Sequence, residues 1–94
     1  MTNNQFDKVS YQAHDLIDDH GIVAVKVIFS AYNLADDFEQ VMKEDGFARY
    51  ITRRNRVFII TLSNAPGLPG DSHEMLGYML ATAYQYAPES IKVI

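Results

Sequence analysis

All four arginines of this chain fall between positions 49 and 56, at Arg49, Arg53, Arg54 and Arg56. A guanidinium offers a planar fork of donors that suits a carboxylate or a phosphate. A β-ribbon carrying several such forks can reach a nucleic-acid backbone. The same residues also suit a plainer task, because like charges on an edge strand and its loop discourage edge-to-edge aggregation. The functional expectation is an acidic protein surface gripped by Arg49, Arg53, Arg54 and Arg56, with Arg54 at a hairpin tip as the main anchor. Single-stranded nucleic acid is the alternative ligand of the same hairpin.

Other chemistry-bearing residues point less far. His14 and Asp18 stand four apart and could share a cation on one helix face, but two ligands do not make a metal site. His20 points away from them, and His73 lies far along the chain. Asp18-Asp19 and Asp36-Asp37 are adjacent, so each pair splits across helix faces and does not form an acid–base couple. There is no cysteine, which removes disulfides, thiolate ligands and cysteine nucleophiles together. Nucleophile-elbow, zincin, P-loop and dinucleotide-binding motifs are missing. The run Pro66-Gly67-Leu68-Pro69-Gly70 has glycines, but its prolines remove backbone donors that a phosphate cradle needs. No catalytic residue, metal or cofactor is expected. Among the six tyrosines, Tyr78 and Tyr84 flank the apolar stripe of the last helical segment and are interface candidates.

The elements that must position these residues follow from periodicity. Over 5–20, Phe6, Val9, Ala13, Leu16 and Ile17 recur at helical spacing, and Gly21 follows as a left-handed C-cap. Residues 22–29 are β-branched and apolar on both faces, the pattern of a central strand covered twice. A helix follows, with Asn33 as N-cap, Asp36 and Asp37 in its first turn, a stripe of Leu34, Phe38, Val41 and Met42, and Gly46 as its stop. Residues 47–52 and 56–63 read as a hairpin around Arg53-Arg54-Asn55. Asp71 and Glu74 have capping-box spacing ahead of a helix with Met75, Leu76, Met79, Leu80, Ala83 and Ala87 on its apolar face. Pro88 ends that helix, and a short strand begins at Glu89.

After its first helix the chain thus reads βαββαβ, the succession of an α+β ferredoxin-like split sandwich. The strand order of that architecture is 4-1-3-2, with both crossover helices on one face. The opposite face would carry Ala24, Lys26, Ile28, Val57, Ile59 and Thr61, too apolar to stand open to water. Either the N-terminal helix covers it or another subunit does. Ile28, Ile59 and Thr61 are therefore candidate interface residues, and a homo-oligomer is expected. RNA-recognition domains share this topology and stack bases on aromatics of the two central strands, where this chain has Ile59 and Thr61.

Ninety-four residues with a formal charge of −4 suit one domain over 1–94, a helix at about 5–20 joined to a core at about 22–94. No apolar run is long enough to span a membrane, and the first residues do not resemble a signal peptide, so a cytoplasmic location is expected. An acidic chain is a poor generic ligand for duplex nucleic acid. The expected function is that of a small non-catalytic regulator, inhibitor or adaptor acting by protein–protein binding, as many phage and mobile-element accessory proteins do. The alternatives are a single-stranded nucleic-acid binder and a ligand-binding or enzymatic oligomer of the same fold.

Overall fold

The computed structural model describes residues 3–63 and 72–94, the side chains of 3–6 excepted. The elements run α1 (Asn3–His20), β1 (Ile22–Phe29), α2 (Tyr32–Glu44), a 3-10 turn (Ala48–Tyr50), β2 (Ile51–Arg54), β3 (Val57–Ser63), α3 (Ser72–Gln85) and β4 (Pro88–Val93). The four strands form one antiparallel open sheet in the order β2-β3-β1-β4. The result is a mixed α+β arrangement with β1 and β3 at the centre, in the order expected from the pattern of apolar runs.

Alternation along the strands decides which side chains enter the core. Val23, Val25, Val27 and Phe29 of β1 are buried, as are Phe58, Ile60 and Leu62 of β3. The antiparallel register sets Val25 opposite Ile60 and Val27 opposite Phe58. Phe38 of α2 joins Phe29 and Phe58 in a ring cluster with centroids 5.0 to 5.5 Å apart, two of its three contacts edge-to-face. Leu76, Met79, Leu80 and Ala83 bring α3 onto the same layer.

The N-terminal helix settles on this side too. Its Val9, Ala13 and Ile17 are buried in the same cluster, and α1 packs on β1, β4 and α3. Gly21 makes the reversal into β1 possible: it has φ +75° and its amide donates to the Ile17 carbonyl at 2.9 Å. All three helices therefore share one face, and none of them covers the other.

Several local boundaries differ from those read in the sequence. The helix α2 begins after Ala31, an extended residue that makes no side-chain cap, so Asn33 lies inside the helix and Asp36 and Asp37 fall beyond its first turn. Its opening is stabilised by tertiary contact instead, since the Arg56 guanidinium lies over the Tyr32 ring, 6.0 Å from its centroid. Residues 48–50, expected to be extended, coil into the 3-10 turn, where Phe47 and Tyr50 pack against the core. The hairpin turns at Asn55 and Arg56, not at 53–55, because Arg54 already pairs with Val57 and Asn55 supplies the positive φ, +59°. The helix α3 ends at Gln85, and Ala87 takes a left-handed φ of +49° ahead of Pro88, so it leaves the helix's apolar face. The Phe6 side chain, the loop 64–70 and Asp71 of the expected capping box lie outside the described residues.

Candidate functional site

Shifting the hairpin turn decides what each arginine does. Arg53 sits opposite Phe58 and so points to the helix side. There its guanidinium bonds Asp36 at 2.8 Å and Glu39 at 3.0 Å and lies 5.3 Å from the Phe58 ring centroid, leaving its side chain 17% exposed. Burial works against this charge, but hydrogen bonds and attraction from the two carboxylates outweigh it and hold the Arg53 pKa above the ordinary arginine value. Arg56 is likewise engaged. Its Nη1 donates to the Phe29 carbonyl at 2.8 Å and to Glu89 at 3.3 Å, tying the hairpin to the ends of β1 and β4. Arg49 lies in the 3-10 turn with its guanidinium 5.8 Å from the Tyr50 ring centroid. Arg54 is exposed and makes no ion pair among the described residues. The four arginines therefore do not form one patch.

Arg54 belongs to a different constellation, the uncovered face of the sheet. Register lines this face up in rows. Arg54, Val57, Ile28 and Ser90 stand side by side across the four strands, and Thr52, Ile59, Lys26 and Lys92 form the next row. Beyond them Thr61 pairs with Ala24, whose carbonyl accepts the Ile94 amide at 3.0 Å. Ala24, Ile28, Val57 and Ile59 make an aliphatic strip along the two central strands, each half-buried by its neighbours. A groove of about 450 Å³ opens beside it, lined by Lys26, Thr52, Arg54, Val57 and Ile59 and closed by Arg53 and Asn55 of the hairpin.

The charge on this face is mainly positive. Lys26, Arg54 and Lys92 stand on it, and the one acid of the strands, Glu89, lies at its end, in the β4 bulge between Pro88 and Ser90, where it pairs with Arg56 at 3.3 Å. Lys26 and Lys92 are direct cross-strand partners. Opposed like charges on one sheet face destabilise a strand pair. The acids of this net-negative chain lie mostly on the helices, so the molecule is bipolar, with an acidic helical side and a basic sheet side.

Of the sequence candidates, Ile28, Ile59, Thr61 and Arg54 come together on this face, while Arg49, Arg53 and Arg56 do not join them. Tyr78 and Tyr84 belong to α3, on the other side of the sheet. The Tyr78 hydroxyl donates to Asp45, and that bond first, with some burial, raises the phenol pKa above its usual value. Burial pushes Tyr84 up in the same direction. Lys92 is the face residue that periodicity alone did not single out. Finding it needs the β1–β4 register, which shifts at the irregularity between Ile28 and Phe29.

The histidines also find neighbours that spacing could not show. His73 of α3 meets Asp18 of α1 at 2.6 Å, and the His14 ring stands edge-on to His73 with centroids 4.7 Å apart. This cluster joins two helices. Among the described residues no group of three histidine, aspartate or glutamate side chains is placed to hold a metal ion. No described helix is long and apolar enough to cross a membrane. No protein-family model, curated protein or solved structure matches the chain.

Proposed function

We propose that the chain is a non-catalytic protein-binding domain of ferredoxin-like topology, a regulator, inhibitor or adaptor of the cytoplasm that docks its partner on the uncovered sheet face. The observation that carries this reading is an aliphatic strip left open among Lys26, Arg54 and Lys92, none of which has an ion pair among the described residues. An apolar sheet surface is normally buried by a second layer. Here β1 has the composition of a doubly covered strand, Ile22-Val23-Ala24-Val25-Lys26-Val27-Ile28-Phe29, while helices cover only one of its faces. A partner completes the sandwich, and its acidic character follows from the charge it must meet.

Two other occupants fit less well. In a two-fold stack of the chain on itself, this face would bring Lys26, Arg54 and Lys92 of both copies together. Single-stranded nucleic acid would meet cations but no aromatic side chain on which to stack a base.

A photo-crosslinking residue at Thr61, on the open face, tests the reading in cells that produce the chain, with Asp37 on the helical side as control. Protein adducts from Thr61, resistant to nuclease and absent from Asp37, are expected. Nuclease-sensitive adducts at Thr61 would favour the nucleic-acid alternative. Adducts made of the chain itself would favour a homo-oligomer, and adducts from Asp37 alone would move the site to the helices.

A further inference from the structure

We infer that the occupant of the open face is an amphipathic helix of the partner, lying along β3 and β1 with an aliphatic stripe on the strip and carboxylates on both flanks. This rests on the reading of the face as a protein-docking surface and adds the form and charge pattern of what docks there.

The shape of the strip points to a helix. From Ala24 to Ile28 is four residues of strand, about 13 Å at the usual strand rise. That length corresponds to between two and three helical turns. Across the strands the strip is narrow, because Ala24 and Ile28 are on β1 and Val57 and Ile59 are on the adjacent β3. Neighbouring strands are about 5 Å apart. A second sheet would need apolar contact across all four strands, yet the outer strands offer Thr52 and Arg54 on one side and Ser90 and Lys92 on the other. One apolar helical stripe matches a long, narrow strip bordered by polar residues.

The charges lie where such a helix would need them. Arg54 stands on the β2 side of the strip and Lys92 on the β4 side, so cations border it on both flanks. Lys26 sits between, directly opposite Lys92. A carboxylate docked over that pair would replace a like-charge repulsion with two attractions. The lysine stems can lie along aliphatic surface while their ammonium groups meet the helix's acids. An aliphatic strip without an aromatic platform favours Leu, Ile or Met side chains over bases as the buried groups.

A display library of helical peptides tests this, with leucine fixed along one stripe and the flanking positions varied among Glu, Lys and Gln. Selection on the intact chain should enrich Glu over Lys at the flanks by roughly tenfold or more. The double variant Lys26→Glu/Lys92→Glu keeps a like-charged pair of opposite sign, so its fold should be little changed while the selected flank on the β4 side reverses to Lys and the flank facing Arg54 keeps Glu. Amide shifts on adding a selected peptide should map to β1 and β3, and Ile59→Asp should release it. No charge preference, no reversal in the double variant, or shifts confined to the helices would overturn the inference. An oligo-dT that displaces the peptide at about 100 mM salt, where screening acts within about 10 Å, would do so as well. If Thr61 crosslinks to protein in cells while the library shows no preference for Glu, the helix inference fails and the protein-docking reading stands.

Discussion

The two faces of this sheet are built by the same strands and behave as different surfaces. On the helix side, Phe29, Phe38 and Phe58 pack ring against ring, and Arg53 closes the edge with two carboxylates. On the other side, one residue away along each strand, stand Ile28, Val57 and Arg54, half-buried or exposed, with no ion pair to Arg54 among the described residues. Folding is complete on the first face, where every helix has settled and Arg53 and Lys43 have counter-charges. The second face retains apolar surface and a repulsive lysine pair that do nothing for the isolated fold. Exposed apolar patches rimmed by polar residues are the kind of surface that interaction sites use.

The largest test of this contrast is truncation. Phe38→Ala should cost about 3–5 kcal/mol, as expected for a buried aromatic whose cavity the core cannot fill. Ile59→Ala, on the open face, should cost about 1 kcal/mol or less, since solvent already reaches that side chain. Denaturant midpoints of both variants at low and high protein concentration give the comparison. An Ile59→Ala loss that approaches that of Phe38→Ala, and grows with protein concentration, would show the face already buried in a self-assembly.

A sharper version uses neighbours in sequence. Arg53→Ala should destabilise the chain by about 1–2 kcal/mol, because it removes charge-assisted bonds at a largely buried site and leaves Asp36 and Glu39 without their shared cation. Arg54→Ala should stay within about 0.5 kcal/mol, as a solvated strand-end residue. Partner binding should rank the two in the reverse order, with Lys43→Ala as a charge-matched control on the helical side. Equal stability losses at Arg53 and Arg54 would break the division of the arginines between the faces.

That division is also where the sequence stopped being legible. Apolar alternation in β1 and β3 is strong enough to show both strands central and to name the residues of each face, because a period of two leaves no other choice for buried side chains. The hairpin had no such constraint. Thr52, Arg53, Arg54 and Asn55 are all polar, so hydrophobic pattern could not set the turn, and placing it early put Arg53 and Arg54 in the loop. Once Asn55 takes the positive φ, Arg53 falls on the core side and Arg54 on the open side. Helix boundaries failed for a similar reason: α2 starts where Tyr32 meets Arg56, a contact of distant origin in the chain. The destination of α1 was open as well, since its stripe is compatible with either face. Its packing on β4 and α3, with His73 against Asp18, is a tertiary outcome that no local pattern encodes.

The smallest expected effect separates stability from binding most cleanly. Lys92→Glu converts the Lys26–Lys92 pair into an opposite-charge cross-strand pair on an otherwise unchanged face. Such pairs contribute roughly 0.2–1 kcal/mol, so the variant should be slightly more stable than the parent. The gain should be largest at low salt and shrink as screening rises. The same substitution puts a carboxylate where a partner's carboxylate is proposed to dock, so affinity for an acidic helix should fall even as the midpoint of unfolding rises. A core or scaffold residue does not behave this way, because its replacement moves both quantities downward. A loss of stability in Lys92→Glu at low salt would mean that Lys92 already has an anionic neighbour within the chain, and the open face would then be a finished surface.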